Sequence, residues 1–159
     1  MTKITLLIAA AASAFLAGEA FAAQGSSQHV AFEPLEMPWR PAPASNVPGA
    51  KIALLYGSPS QDGMFVVRLL LPKGYRVPPH THPQPEIITV LSGSLMIGHG
   101  AKADSGNVQR VGAGGFSALP ANMVHYAFVD EETIIQISTT GPWSITYVNP
   151  ADDPRNKPK

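Results

Sequence analysis

The sequence predicts an all-β protein, a sandwich or barrel of short strands, from two observations. Short runs rich in β-branched and aromatic residues recur between residues 51 and 148, and turn residues separate them. The 159 residues include 16 prolines and 14 glycines, and no window shows a sustained helical period. Many short strands with frequent turn signals are typical of sandwiches and barrels.

The strand-like runs place the boundaries of one domain. The predicted strands are 51–56, 64–71, 86–91, 95–97, 116–119, 124–129, 133–138 and 143–148. Residues 98–107 are rich in small and polar side chains and predict a loop. We therefore expect a single β-barrel domain over residues 49–150, which is long enough to enclose a core.

The first 22 residues are typical of an export signal. Lys3 precedes an apolar stretch from Ile4 to Ala17, and Ala20-Phe21-Ala22 fits a small-x-small cleavage pattern. We expect cleavage before Ala23 and a mature protein that is periplasmic or secreted. The alternative is an uncleaved membrane anchor, because the apolar stretch is nearly long enough to enter a bilayer. Since the chain has no cysteine, a lipid anchor at the junction is excluded, and no stable membrane anchor is expected.

The segments on either side of the predicted barrel differ from it in composition. Residues 23–48 are dense in proline, which predicts an extended arm or edge strand rather than a helix. The apolar side chains of this arm suggest that it packs on its own barrel or on a partner subunit. The charged tail, residues 151–159, is expected to be flexible.

Composition excludes several classes of function. Charged residues make up 14% of the chain and the formal net charge is zero, so no basic surface for nucleic acid is expected. The absence of cysteine excludes disulfides, thiolate metal sites and cysteine nucleophiles.

Two motifs contain the residues best suited to chemistry. The first is Gly74-x5-His80-x-His82-x3-Glu86-x6-Gly93, and the second is Gly114-x5-Pro120-x4-His125. The even spacing of His80, His82 and Glu86 predicts one face if all three lie in a strand. Imidazole and carboxylate donors suit divalent first-row metals, and only a fold that brings two hairpins together would add His125.

These motifs resemble the two signature motifs of the cupin superfamily. The first matches at every specified position. The second departs twice, with Asn122 in place of the usual glycine and Val129 where asparagine is common. Asparagine tolerates left-handed backbone angles, so Asn122 is expected to serve the same turn. The resemblance implies a double-stranded β-helix, a jelly-roll barrel often found as a homodimer.

The resemblance also implies a metal site and a range of activities. The family's ligands fall on His80, His82, Glu86 and His125, and the metal would be Fe, Mn, Ni, Cu or Zn. The first hypothesis is a metal-dependent enzyme of dioxygenase or oxidase type, acting on a small organic molecule, with Glu86 as its catalytic residue. The alternative is a non-catalytic periplasmic module that binds a small molecule or metal, since the fold does not determine the function.

Two further polar residues are candidates for substrate contacts. Arg68 lies in an apolar strand and either faces solvent or points into the barrel to hold an anion. Gln136 has the same two alternatives. Tyr126 should point away from the metal, because it follows His125 in a strand. Trp143 and Tyr147 are expected in the core.

Overall fold

The computed structural model describes residues 29–157, and the predicted export signal lies outside them. Two antiparallel sheets make up the described chain, with six strands in one and five in the other. The strands are β1 Arg40–Pro41, β2 Lys51–Tyr56, β3 Gly63–Leu71, β4 Arg76–Thr81, β5 Glu86–Ser92, β6 Ser94–His99, β7 Gln109–Gly112, β8 Phe116–Leu119, β9 His125–Phe128, β10 Thr133–Gly141 and β11 Thr146–Tyr147. The predicted all-β jelly-roll fold is confirmed.

Strand order shows how distant parts of the chain come together. The larger sheet runs β1-β2-β3-β10-β5-β8 and the smaller runs β11-β4-β9-β6-β7, so neighbours in a sheet are often far apart in sequence. The inner faces of both sheets supply the apolar core, with Phe65 and Val90 from the larger sheet and Leu95 from the smaller. Burial of these side chains, at about 25 cal/mol per Å² of apolar area, is the main stabilising contribution.

Proline obscured one strand in the sequence. Strand β4 contains Pro78 and Pro79, and the prediction left it out because proline cannot donate a ladder hydrogen bond. The strand tolerates them because its register with β9 shifts between Val77 and His80, and because the Pro79 carbonyl still accepts a hydrogen bond from the Val148 amide. The predicted strand 143–148 shortens to β11, Thr146–Tyr147.

The N-terminal arm joins the barrel of its own chain. Strand β1 pairs with β2 at the edge of the larger sheet, and a 3₁₀ turn, Pro34–Glu36, precedes it. Residues 42–50 form a loop whose base is closed by a 3.0 Å hydrogen bond from the Ala42 amide to the Ala50 carbonyl. At the other end of the chain, Pro150–Asp152 and Pro154–Asn156 form 3₁₀ turns. Within residues 29–157, no helix is long and apolar enough to span a bilayer.

Candidate metal site

Two of the four predicted ligands face each other across a strand pair. His80 on β4 and His125 on β9 are direct partners in the register of the smaller sheet. Directly paired residues of an antiparallel sheet point to the same side, so both imidazoles enter the barrel. Their ring centroids are 4.2 Å apart. Strand pairing therefore supplies the long-range contact that the two motifs required.

The other two predicted ligands come from a crossing between the sheets, which corrects one expectation. His82, Glu86 and His80 do not share a strand, because β4 ends at Thr81 and β5 begins at Glu86. The intervening residues 82–85 carry the chain from the smaller sheet to the larger one. Even spacing correctly indicated convergence, but through a bend between two strands rather than along one face.

The four side chains form a compact, buried cluster. Coordinating nitrogens of His80, His82 and His125 lie within 4.8 Å of one another, and all three residues are buried. One carboxylate oxygen of Glu86 lies 3.1 Å from Nε2 of His125 and 3.8 Å from Nε2 of His82. Three buried histidines at this separation could hold a metal ion, and the neighbouring carboxylate could add a fourth donor.

Each histidine of the cluster is oriented by a backbone carbonyl. Nδ1 of His80 lies 2.7 Å from the Pro78 carbonyl, and Nδ1 of His82 lies 2.7 Å from that of Ser144. Nδ1 of His125 lies 3.0 Å from the Met123 carbonyl. A carbonyl can only accept, so Nδ1 carries the proton in all three rings. Nε2 is therefore the nitrogen available to a metal, as is common in metalloproteins.

A left-handed turn supports this arrangement. Asn122 has φ of 61°, which confirms the expectation that it replaces glycine in the second motif. Its amide donates a 2.8 Å hydrogen bond to the His82 carbonyl. The turn before β9 thus fixes the backbone that follows β4, and it connects the two motifs through one contact.

Burial and the neighbouring imidazoles keep two of the three imidazoles neutral. Burial is the largest effect on His80 and, together with the neighbouring His125 and His82, lowers its pKa to about 3. Burial also lowers the pKa of His82. Neutral imidazole is the form that binds a metal, so these two ligands need lose no proton at neutral pH.

Glu86 and His125 form a charge-stabilised pair. Burial acts to raise the pKa of Glu86, but the hydrogen bond from His125 and the adjacent charges outweigh it, and the pKa lies below its usual value. Burial acts to lower the pKa of His125, whereas its bond to Glu86 raises that pKa overall. The bond to His125 thus stabilises the charged form of the buried carboxylate, as a metal cation at this site would also do.

A tryptophan forms a wall beside the cluster. The Trp143 ring stacks on His82, with centroids 4.1 Å apart and planes 16° from parallel, and it contacts Phe65 edge to face. The Tyr147 ring lies 6.0 Å from that of His80. Sequence reasoning placed Trp143 and Tyr147 in the core. Both also line the cavity, a placement that no motif signalled.

The cluster opens into a cavity of about 380 Å³ between the sheets. Most of its lining is aliphatic or aromatic, including Val67, Leu69 and Ile137. Among its lining residues, neither lysine nor arginine occurs, and Glu86 is the one carboxylate. The cavity thus combines one polar end, formed by the histidine cluster, with apolar walls.

The structure does not bring Arg68 and Gln136 to this cavity, which corrects their predicted role as substrate contacts. They are direct partners between β3 and β10, and their neighbours Val67 and Ile137 are the ones that line the cavity. Because side chains alternate along a strand, Arg68 and Gln136 lie on the outer face. There the Arg68 Nε donates a 3.1 Å hydrogen bond to Gln136, and its Nη1 approaches the sulfur of Met37 at 3.5 Å.

The fold and the buried cluster are those of a cupin, and family comparison agrees. The profile of the ChrR cupin-like domain matches residues 27–144 of the chain. This match covers well over half of the sequence, so the chain belongs to the ChrR cupin-like family.

Comparisons with individual proteins show how far the similarity extends. Over 88 residues the chain is 32% identical to germin-like protein 3-1 of Oryza sativa subsp. japonica. The aligned region covers 55% of this chain but only 35% of that protein. The polyketide cyclase RemF of Streptomyces resistomycificus has a similar structure, with a TM-score of 0.65, 18% identity, and coverage of 80% of this chain and 90% of RemF. A proposed acetylacetone dioxygenase from Methylibium petroleiphilum PM1 matches with a TM-score of 0.58, 22% identity, and coverage of 81% and 88%. At these identities the structural matches establish the fold alone.

Proposed function

We propose that the protein is a metal-dependent enzyme that acts on a small organic molecule, with dioxygenase or oxidase chemistry as the leading class. A divalent transition metal would be held by His80, His82, His125 and Glu86. The observation that carries the proposal is the orientation of the three imidazoles, whose Nδ1 atoms are all fixed by backbone carbonyls. The similarity of the fold to a proposed acetylacetone dioxygenase supports the same class.

Each group in the cavity would have a separate role in such a reaction. The metal would supply Lewis-acid or redox chemistry to oxygen atoms of the substrate. Glu86 is the one cavity side chain suited to move a proton, because the hydroxyls of Tyr75 and Tyr147 already donate to backbone carbonyls. The stacked Trp143 offers a flat apolar surface beside His82. We therefore propose that Glu86 is the general base.

The cavity favours a substrate with little charge of its own. Its lining residues include no lysine or arginine that could neutralise a phosphate or a second carboxylate. Its volume of about 380 Å³ falls in the range of small-molecule pockets. An enol, a diketone or a catechol, with oxygens at one end and an apolar body, fits both the charge and the volume of the cavity.

A screen for oxygen consumption tests the enzyme proposal. Protein loaded separately with Fe, Mn, Ni or Cu is mixed with enolic, catecholic and diketone compounds in an oxygen electrode. We expect turnover with at least one metal and compound, and a loss of about 100-fold or more in Glu86→Gln. Glutamine keeps one oxygen donor and the shape of the side chain, so metal content should fall less than activity.

The second candidate is a periplasmic binding module without catalysis. The observation that favours it is the 3.1 Å contact between Glu86 and His125. A Glu86 that stays bound to His125 or to the metal cannot act as a base, and no other described residue of the cavity lining would then be a free base. In that case the compounds of the screen would bind tightly while neither they nor oxygen are consumed. Such a result would replace the enzyme proposal with the binding one.

The proposed location is outside the cytoplasm. It rests on Lys3, the apolar stretch that follows and Ala20-Phe21-Ala22. Intact-mass measurement of protein recovered from the periplasm of a bacterial host should give an N-terminus near Ala23. Recovery of the full chain from the membrane fraction would support an uncleaved anchor instead.

A further inference from the structure

The loop at residues 42–50 forms one part of the cavity wall that borders solvent, and the turn between β2 and β3 forms another. Pro43, Ser45, Asn46 and Val47 line the cavity, yet Pro43 is exposed and the other three are half-buried. One side of the loop therefore faces the cavity and the other faces water. Its two ends meet at the hydrogen bond between Ala42 and Ala50, which is the arrangement of a compact Ω-type loop.

Two tyrosines hold this loop from inside the barrel. The Tyr75 hydroxyl donates to the Val47 carbonyl, and the Tyr147 hydroxyl donates to the Ser45 carbonyl at 2.9 Å. Tyr75 lies just before β4 and Tyr147 lies in β11, and both line the cavity. Burial raises the pKa of Tyr147 to about 12, and it raises the pKa of Tyr75 as well. Both hydroxyls thus remain protonated donors over the working pH range.

We propose that Tyr75 and Tyr147 are positioning residues that keep loop 42–50 closed over the cavity, and that ligands enter when these two hydrogen bonds break. The loop otherwise carries few restraints. Its backbone hydrogen bonds are the one that joins Ala42 to Ala50 and one within a turn, from the Asn46 amide to the Pro43 carbonyl. Val47 and Ala42 pack against the core, so the closed state is favoured but a local opening need not disturb the sheets.

A matched control exists in the same chain. The buried Tyr126 also donates its hydroxyl to loop carbonyls, those of Asp104 and Asn107, both at 3.1 Å. That loop does not line the cavity. Tyr126→Phe therefore removes a comparable hydroxyl from a comparable bond without touching the proposed entrance.

Hydrogen exchange measures whether the tyrosines restrain the loop. In Tyr75→Phe and Tyr147→Phe, amide exchange in residues 42–50 should rise about fivefold for each hydroxyl removed, with less change in the sheets. In Tyr126→Phe the increase should fall on residues 100–108 instead. If exchange in residues 42–50 is unchanged in the Tyr75→Phe/Tyr147→Phe double variant, the tyrosines do not hold the loop.

Quenching of one tryptophan measures whether the loop controls access. The chain has two tryptophans, so Trp39→Phe leaves only Trp143 in the cavity wall. In this background, acrylamide should quench Trp143 faster in the double tyrosine variant, and at the background rate in Tyr126→Phe. Equal quenching in all three proteins would contradict the role in access. The assay needs no metal, so its failure would leave the metal proposal intact.

A shortened loop keeps the test decisive if the double variant does not fold. Replacing residues 43–49 with Asn-Gly turns the excursion into a two-residue hairpin between Ala42 and Ala50. This variant lacks most of loop 42–50, so acrylamide should reach Trp143 faster than in any protein with the full loop. Quenching no faster than in the full-length background would overturn the proposal.

Discussion

At the scale of single residues, the two nitrogens of each cluster histidine have separate tasks. Nδ1 is fixed on a carbonyl of Pro78, Ser144 or Met123, which leaves Nε2 to face the cavity. The orienting groups are all backbone atoms, so side-chain substitution around the site would leave them in place. The orientation therefore depends on the backbone of β4 at Pro78 and on the connecting segments that carry Ser144 and Met123.

Asn122 offers a test of that dependence. Its φ of 61° is accessible to asparagine and glycine but costs a β-branched residue roughly 1–2 kcal/mol or more. We expect Asn122→Gly to be close to wild type in urea unfolding and Asn122→Val to be destabilised by about 2 kcal/mol. The valine variant should also hold metal less well, because the Asn122 amide bonds to the His82 carbonyl. Equal stability of the two variants would argue against a strained turn.

At the scale of elements, alternation along β3 and β10 decides which side chains meet the ligand. Val67 and Ile137 face the cavity, while Arg68 and Gln136 face outward and bond to each other. Arg68 and Gln136 are direct partners in the pairing register, so both side chains point to the same face of the sheet. An ionisable residue in an apolar strand is here a feature of the outer surface.

Two substitutions on neighbouring positions of β3 test this assignment. Arg68→Met should leave metal content and the apparent KM of any compound found in the oxygen screen within about twofold of wild type. Val67→Ala enlarges the cavity and should change the apparent KM by a larger factor, at a cost of about 1–3 kcal/mol in stability. A rise of tenfold or more in KM for Arg68→Met alone would place Arg68 back in the ligand site.

The sequence predicted the fold and the candidate ligands because both leave local patterns. Gly74, His80, His82 and Glu86 occur at fixed spacing, and strand-like runs separated by turns extend over most of the barrel. Strand β4 was missed because its prolines mimic a break, although its carbonyls still pair. The tyrosine contacts to residues 42–50 were missed because they join positions 28 and 102 residues apart, and nothing local encodes that proximity.

At the scale of the whole molecule, the arm leaves apolar surface uncovered. Leu35 is 99% exposed on the turn before β1, and Phe116 is 62% exposed on β8 at the far edge of the larger sheet. Single exposed apolar side chains are common on monomers, so the case for a partner rests on Leu35, which the arm leaves almost wholly in solvent. We propose that the partner is a second copy of this chain, in which the arm takes part in the contact.

Light scattering on arm variants tests the dimer. Deleting residues 23–39 leaves β1 and loop 42–50 in place and removes the exposed Leu35. We expect the variant to shift toward monomer or to aggregate. The point variant Leu35→Ser should weaken the dimer in the same direction, whereas Leu35→Met should not, because methionine preserves the apolar contact. A wild-type protein that is monomeric at all concentrations would exclude the dimer.

The most direct test of the whole account is the metal content of the purified protein. Elemental analysis should find close to one divalent transition metal per chain in wild type. The variant His80→Ala/His82→Ala removes two donors and should lose most of that metal while keeping its β-sheet circular dichroism, because the core is apolar. His29→Ala, which changes an exposed histidine of the N-terminal arm, should keep the metal. Equal metal in wild type and the double variant would contradict the assignment of the site.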